Sequence, residues 1–235
     1  MSKRDASPAS TPPSRRRLGV IVIDALPVVR AGLGLLIRGR DDMEVVGEAG
    51  NAQAALEEMA RIRRSRVVVL VGLGLSGERD AYWLIRTIRE RFPSHAVVAV
   101  GANADPGTIS RALFVGADGF LDKNIEPTAF LDAIHSAAER EMVLAGPASG
   151  SVGEIAMGIE LRRELDARLT EREREVLAVA AEGLTAREIA DRLGVRERTV
   201  TTHLARIYGK LGVGNRLAAI QTARRSGIVT VGVAE

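Results

Sequence analysis

The chain has 235 residues, of which 46% are apolar, so it is long enough for two domains with ordinary hydrophobic cores. It has no cysteine, which excludes disulfide frameworks and thiolate metal sites. The net charge of +3 is small, but the charged residues are unevenly distributed. The longest apolar run, 67–75, is too short to cross a bilayer, and the N-terminus lacks an apolar signal core. We therefore expect a cytoplasmic protein with no membrane partner.

The N-terminal two thirds of the chain consist of a tail followed by strand and helix patterns in regular alternation. Residues 1–17 are rich in Pro, Ser and Arg without hydrophobic periodicity, which predicts a disordered tail. The runs LGVIVI, MEVVGEA, RVVVLV, AVVAV and GFL predict five strands, and the patterns near 28–37, 51–63, 79–91, 106–115 and 127–139 predict five helices. Strict alternation predicts an α/β fold over 18–140, with a doubly wound parallel sheet of the flavodoxin-like kind.

Residues 141–168 connect this region to the C-terminal part of the chain. They contain GPASGSVGE and then a charged helical stretch, a composition that is typical of linkers. We predict an interdomain linker over 141–168 and a second domain over 169–235.

The C-terminal segment has three helical patterns, with a tight glycine turn between the second and the third. Thr185 and Glu188 have the spacing of a capping box, in which each side chain binds a backbone N–H at the helix start. Gly194 tolerates the left-handed conformation that a sharp helix exit requires. The inner stripe of the next helix is formed by Val200, Leu204, Ile207 and Leu211. Two helices joined so closely cross steeply, which predicts a helix-turn-helix whose second helix can enter a major groove.

Positive charge is concentrated on this second helix and on the residues that follow it. Between 196 and 225 the chain has seven Arg or Lys and one acid. A basic surface of this kind supplies most of the non-specific affinity for double-stranded DNA. The alternative interpretation is a solvated basic face on a helical protein-interaction module. Because the cap, the turn and the charge agree, we favour DNA as the partner.

The motifs LTEREREVL, EGLTAREIADRLGV, RTVTTHLARIYGKLGV and NRLAAI resemble the LuxR-type helix-turn-helix of the NarL/FixJ response regulators. The resemblance implies a small all-α, four-helix domain, in which the helix over 197–210 lies in the major groove and Asn215 caps a fourth helix that helps to form dimers. The chain departs from the family pattern at Arg196, Thr201 and Ala205, so its operator is not expected to match those of better-known members.

The predicted DNA-binding residues are Arg196, Arg198, Thr199, Thr201, Thr202, His203, Arg206, Lys210 and Arg216. The arginines and threonines that project from the middle of the helix are expected to meet base edges. Lys210 and Arg216, near the helix end and the following turn, are expected to meet phosphates, and Arg196 is grouped with them.

The N-terminal motifs IVIDALPVVRAGL, VVGEAGNAQAALE and GADGFLDKNIEPTAFLDAI resemble a response-regulator receiver domain. Receiver chemistry requires a phosphoacceptor carboxylate, neighbouring acids that hold Mg²⁺, and a lysine and a hydroxyl that bind the phosphate. The corresponding positions here are Asp24, Ala25, Gly72, Gly101 and Lys123. One acid and the lysine are kept, together with the aromatic switch residue Phe120, whereas the second acid, the phosphoacceptor and the hydroxyl are missing. We predict a pseudo-receiver that is not phosphorylated and holds no metal or cofactor, with Asp24 and Lys123 left as an ion pair or as solvated loop residues.

The run Gly72–Gly77, GLGLSG, matches the dinucleotide-binding pattern GxGxxG. The acid that binds ribose is absent, because the next strand ends in Gly101. An alternative is a glycine-lined hollow at the carboxyl ends of the strands that binds a small metabolite.

These observations predict a transcriptional regulator that binds DNA, is not an enzyme and acts without aspartyl phosphorylation. The alternatives are a metabolite- or nucleotide-sensing regulator and a heterodimerisation partner of a related regulator. The resemblance implies homodimers or heterodimers formed through receiver residues 105–138, and RNA polymerase is a candidate partner.

Overall fold

The computed structural model describes residues 17–64, 66–75, 79–147 and 150–229. Residues 1–16 of the predicted tail lie outside these ranges, as do Ser76 and Gly77 of the glycine-rich run. The elements are β1 (Leu18–Ile23), α1 (Pro27–Arg38), β2 (Met43–Ala49), α2 (Ala52–Arg61), β3 (Val68–Gly72), α3 (Ala81–Arg91), β4 (Ala96–Gly101), α4 (Pro106–Phe114), β5 (Gly119–Asp122), α5 (Pro127–Ala138), β6 (Val143–Ala145), α6 (Ser151–Arg168), α7 (Glu171–Ala181), α8 (Ala186–Leu193), α9 (Glu197–Leu211) and α10 (Arg216–Ser226). No helix in the described ranges is long and apolar enough to cross a membrane.

The N-terminal domain is built on a parallel sheet with the strand order β2-β1-β3-β4-β5-β6. The five predicted strands and five predicted helices all form, so the doubly wound α/β prediction is confirmed. Every residue of β3 and β4 is buried, as expected for strands that helices cover on both sides. The carboxyl ends of β1, β3 and β4 meet at one edge, which brings Asp24, Gly72 and Gly101 together.

Two hydrophobic clusters fill this domain, one on each side of the sheet. The first contains buried side chains of α2, α3 and α4, and the second contains those of α1 and α5. A third cluster holds α7, α8, α9 and α10 together as a separate helical domain. The predicted four-helix domain is therefore confirmed as a unit with its own core.

The predicted local signals of the helix-turn-helix are confirmed. Thr185 and Glu188 form a complete capping box at the start of α8, and α8 ends at Gly194 with φ 63° and ψ 35°. Asn215 caps α10 by accepting a hydrogen bond from the backbone N–H of Ala218 at 2.8 Å. These contacts fix the ends of the helices on either side of α9.

The segment 141–168, predicted as a linker with a charged helical stretch, contains β6 and α6 within its described residues, 141–147 and 150–168. β6 pairs with β5 in parallel and extends the sheet. The side chain of Ile155 on α6 is 2% exposed and joins the first cluster of the receiver core. Arg162 donates a hydrogen bond to Ser110 Oγ on α4 at 3.0 Å. Ile159 also packs against this cluster, and the backbone at Gly158 approaches Ser110 closely, so α6 lies against α4 although its composition resembles that of a linker.

The end of α10 also contacts the receiver. The guanidinium of Arg86 on α3 donates to the carbonyl oxygens of Gly227 at 2.7 Å and Ile228 at 3.2 Å. A Cβ on Gly227 would lie 3.1 Å from Val115, so the backbone approaches α4 closely. The α4 part of the face 105–138, which the resemblance implies as a dimer surface, is therefore covered by this chain's own helices.

Candidate DNA-reading surface and phosphorylation pocket

Helix α9 separates an apolar inner face from a polar outer face. Val200, Leu204, Ile207 and Leu211 are buried, as the sequence predicts. The exposed residues of the helix and its N-cap include Arg196, Arg198, Thr199, Thr201, Thr202 and Arg206. This outer face, with its uncovered arginines and hydroxyls, is the candidate DNA-reading surface.

The two threonines in the middle of α9 use their hydroxyl hydrogens within the helix. Thr201 Oγ1 donates to the carbonyl of Arg198 at 2.9 Å, and Thr202 Oγ1 donates to the same carbonyl at 2.8 Å. A hydroxyl that already donates still has lone pairs to accept a hydrogen bond. These side chains can therefore offer an acceptor to the amino groups of cytosine or adenine, and a methyl group to thymine.

The N-terminal end of α9 has no side-chain cap. Arg196 is the N-cap, with extended backbone and no capping hydrogen bond. Within the described residues, Arg196, Arg198 and Arg206 have no acidic side chain at ion-pair distance. The uncapped start of α9, with the guanidiniums of Arg196 and Arg198 beside it, favours a phosphate or a base edge.

The side chains of Lys210 and Arg216, predicted to contact phosphates, bind acceptors within the helical domain. Lys210 Nζ lies 2.6 Å from Glu173 Oε2 on α7. Arg216 donates to the carbonyl oxygen of Ala180 at 2.8 Å and also to that of Leu184. Their donors satisfy acceptors on and after α7, so the structure supports a packing role for both.

The Lys210 contact places the buried carboxylate of Glu173 against α9. Burial raises the pKa of Glu173, but hydrogen bonds from Lys210 and Thr170 outweigh this effect and lower it below its ordinary value. His203, which is partly buried, differs from the exposed residues of α9. Its Nδ1 is buried and has no hydrogen-bond partner among the described residues.

The degenerate pocket at the end of the sheet is closed by an ion pair. Asp24 is 2% exposed, and its Oδ2 lies 2.5 Å from Lys123 Nζ. Its Oδ1 accepts a hydrogen bond from the backbone N–H of Leu26 at 2.9 Å. Of the two alternatives for Asp24 and Lys123, the structure selects the ion pair.

The two glycines of the pocket leave room that neighbouring side chains fill. A Cβ on Gly72 would lie 2.8 Å from Asp24 Cγ and would overlap its carboxylate. A Cβ on Gly101 would lie 3.0 Å from the ring of Phe120, which is fully buried. Asp24 and Phe120 therefore occupy the space that side chains at positions 72 and 101 would take.

The residues of this pocket do not fit Mg²⁺. In proteins Mg²⁺ is usually held by one or two carboxylates together with waters and phosphate oxygens. Ala25 and Gly72 supply no side-chain oxygen, and the carboxylate of Asp24 already faces the ammonium of Lys123.

Comparison with known proteins agrees with both halves of the molecule. Residues 20–135 match the response regulator receiver domain, and residues 167–223 match the bacterial regulatory proteins of the luxR family. The nitrate/nitrite response regulator protein NarL of Escherichia coli K12 is 32% identical over 85% of this chain and 92% of its own. YdfI, a transcriptional regulatory protein of Bacillus subtilis, is 30% identical over 90% of this chain and 98% of its own.

The chain belongs to the LuxR/NarL family of response regulators. It is a DNA-binding transcriptional regulator and not an enzyme. A solved structure of RcsB from Salmonella enterica serovar Typhimurium, bound to promoter P1flhDC with the phosphomimetic BeF₃⁻, has a TM-score of 0.53 and 25% identity. The match covers 89% of this chain and 99% of that one.

Sequence reasoning missed several residues that shape this LuxR/NarL regulator. The Thr170–Glu173 capping box at the start of α7 was readable from the spacing of LTERE. The contacts of Arg86 and Arg162 had no local signal, because their partners lie 141 and 52 residues away along the chain. Contacts of this kind depend on how the two domains pack.

Proposed function

We propose that this response regulator reads promoter DNA with the outer face of α9 and does so without phosphorylation of its receiver. The observation that carries the second part is the closed pocket: the Asp24 carboxylate occupies the space beside Gly72 and pairs with Lys123. No carboxylate nucleophile stands at the end of β3, and the lysine that would bind a phosphoryl group is already neutralised.

Treatment with a small phosphoryl donor tests this part of the proposal. After incubation of the full chain with acetyl phosphate and Mg²⁺, intact-mass spectrometry should show no phosphoryl adduct on residues 17–147. Affinity for the operator, found by genome-wide mapping of bound DNA, should be unchanged by the treatment. An adduct in this domain that is lost in mild base would contradict phosphorylation independence.

For the DNA-reading part, the arginines and threonines of α9 have different proposed roles. Arg198 and Arg206 are exposed and have donor sets that match guanine, whereas Thr201 and Thr202 offer acceptors and methyl groups. Arg196, at the uncapped helix start, is proposed to contact phosphate.

Substitution of each residue by alanine separates base reading from phosphate contact. Loss of a base contact should cost about 1–3 kcal/mol on the operator and relax the preference at that position. Loss of the Arg196 contact should weaken operator and scrambled DNA equally and reduce the salt dependence by about one unit of slope. Arg61→Ala on α2, an exposed arginine of the other domain, is the matched control. Equal losses on both DNAs for Thr201→Ala and Thr202→Ala would show that this face does not read bases.

We further propose that two copies act on one operator, as the family resemblance implies. The RcsB structure on promoter DNA supports a shared mode of DNA engagement for the helical domain. The alternatives of metabolite or nucleotide binding at Gly72–Gly77 stay predictions, because Ser76 and Gly77 lie outside the described residues.

A further inference from the structure

A basic cluster lies at the amino-terminal edge of the sheet, at the end opposite to the degenerate phosphorylation pocket. Residues 61–66 read RIRRSR, and Arg17 directly precedes β1. Because β1 and β3 are neighbours in the sheet, Arg17 and Arg66, which come just before these strands, lie at the same edge. The six residues of β1 span about 20 Å, which separates this edge from Asp24. The cluster is therefore distinct from the degenerate pocket.

An open cavity of about 210 Å³ lies within this cluster. Its walls come from the start of β1, from the segment before β3 and from the end of α5. We call it the arginine cavity; its lining includes Arg17, Gly19, Arg64, Arg66 and Glu139. Sites for drug-sized molecules are larger, at about 300–1,000 Å³, so this cavity suits a small ligand.

Arg64 forms a fixed wall of the arginine cavity. Its Nη1 donates a hydrogen bond to the backbone carbonyl of Arg17 at 3.0 Å, and its Nη2 pairs with Glu44 on β2. A Cβ on Gly19 would lie 3.2 Å from Arg64 Nη1, so the guanidinium lies against the β1 backbone where a glycine leaves room. Glu44 compensates the charge of Arg64, and the two contacts hold its position.

The other two guanidiniums of the arginine cavity are uncompensated. Arg17 and Arg66 are both exposed, and neither has an acceptor at hydrogen-bond distance or an acid at ion-pair distance in the parts of the chain that the structure describes. Like charges that line one cavity repel each other, and an anion bound between them removes this repulsion. The planar donor fork of a guanidinium matches the paired oxygens of a phosphate. The β1 and β3 sides of the cavity therefore favour a phosphate.

The α5 side of the cavity has the opposite character. Glu139 is the C-cap of α5, where the helix dipole places partial negative charge. Its carboxylate has no cationic partner among the residues for which the structure gives contacts. An ionised carboxylate only accepts hydrogen bonds, so it suits a hydroxyl group of a ligand and repels a second phosphate. This repulsion disfavours a nucleic-acid backbone, in which phosphates follow each other closely.

We propose that the arginine cavity binds a small hydroxylated organic phosphate, with the phosphate between Arg17 and Arg66 and a hydroxyl donated to Glu139. Such a ligand would connect the starts of β1 and β3 to the end of α5. The site goes beyond DNA reading, and it requires neither a phosphoacceptor nor Mg²⁺. It gives the receiver a means of responding to a metabolite through a surface remote from position 72.

Calorimetric titration of the full chain with inorganic phosphate and with ribose 5-phosphate tests the site. We expect one saturable site, with tighter binding of ribose 5-phosphate. Arg17→Ala and Arg66→Ala should each raise the dissociation constant for both probes at least tenfold, because each removes charge-assisted hydrogen bonds. Arg61→Ala is the matched control, since this exposed arginine of the same segment pairs with Glu58 and does not line the cavity. Circular dichroism verifies that each variant is folded.

A variant of Glu139 tests the hydroxyl side of the cavity separately. Glu139→Ala should abolish the preference for ribose 5-phosphate over inorganic phosphate, because the hydroxyls lose their acceptor. Its affinity for inorganic phosphate should be equal to that of the wild type or higher, since a negative charge has been removed. An unchanged preference would contradict the assignment of Glu139.

Four results would overturn the proposal. They are the absence of binding of both probes, binding that the Arg17 and Arg66 variants leave intact, binding that is lost in Arg198→Ala, and equal losses of operator and scrambled DNA binding in the Arg17 and Arg66 variants. The third result would place the phosphate on the DNA-reading surface, and the fourth would assign the cluster to nucleic acid. Operator reading by α9 is measured without these probes, so a failure of the cavity is distinguishable from a failure of DNA reading.

Discussion

At the scale of single residues, the glycine at position 72 leaves space that the carboxylate of Asp24 occupies. The sequence predicts the loss of the phosphoacceptor, because a glycine stands at position 72. It does not decide between an ion pair and solvated residues for Asp24 and Lys123. The structure shows a buried Asp24 bonded to Lys123 and to the backbone of Leu26. A pairing between residues 99 positions apart depends on the packing of β1 against the rest of the sheet, which local patterns do not report.

We expect that Gly72→Ala destabilises the protein by about 1–3 kcal/mol, as overpacking in a core does. The new Cβ would displace the Asp24 carboxylate from Lys123. Gly74→Ala is the matched control, since its Cβ would have open space, and it should change the free energy of unfolding by less than about 0.5 kcal/mol. Urea denaturation of both variants checks this, and equal stabilities would contradict the crowding argument.

The buried Glu173 predicts a stability that depends on pH. Its pKa is lowered in the folded state, because hydrogen bonds from Lys210 and Thr170 outweigh burial. Stability from such a group is complete above its ordinary pKa of about 4.3 and is lost as pH falls through the folded pKa.

Glu173→Gln should therefore reduce the free energy of unfolding by about 1 kcal/mol at pH 7, with a smaller difference from wild type near pH 3. The loss is small because the Lys210 side chain is 36% exposed and water screens its interaction with Glu173. Glu164→Gln, an exposed carboxyl on α6, is the control. A constant difference from wild type between pH 3 and pH 7 would rule out the proposed linkage.

At the scale of elements, the strands and helices with strong local sequence patterns could be predicted, whereas those with weak patterns could not. The apolar runs and helical patterns of the receiver predict all five of its first strands and helices. The capping residues and Gly194 define the ends of α8. β6 has only three residues, and α6 has no continuous apolar stripe, so a linker was the natural interpretation of 141–168. These two elements gain their stability from β5 and α4, which is tertiary information.

Substitution of Thr185, the N-cap of α8, measures how much its capping hydrogen bond contributes to stability. Thr185→Ala should cost about 0.5–2 kcal/mol, because the backbone N–H of Glu188 loses its acceptor. Thr185→Ser keeps the hydroxyl and should remain close to wild type. Thermal unfolding of the two variants gives the comparison, and indistinguishable melting temperatures would show that the cap contributes nothing.

At the scale of the whole molecule, the two domains are joined by side-chain contacts as well as by the chain. Arg86 on α3 binds the carbonyls that follow α10, and Arg162 holds the connecting helix α6 on α4. The outer face of α9 stays exposed in this arrangement. The receiver therefore holds the helical domain without covering the candidate DNA-reading surface.

Removing the Arg86 guanidinium should loosen this contact. We expect Arg86→Ala to increase hydrogen exchange at the amides of 227–229 several-fold, because the docked end of α10 is released. Arg61→Ala, which lacks contact with α10, should not change exchange there. Unchanged exchange in Arg86→Ala would mean that apolar packing alone holds the two domains together.

The filled space beside Gly72 also limits how this regulator can evolve. An aspartate at position 72 would meet both the bulk and the negative charge of Asp24, so this single substitution is expected to displace Asp24 from Lys123 and to destabilise the fold. If the proposed function holds, recovery of a phosphoacceptor at position 72 requires a compensating change at position 24.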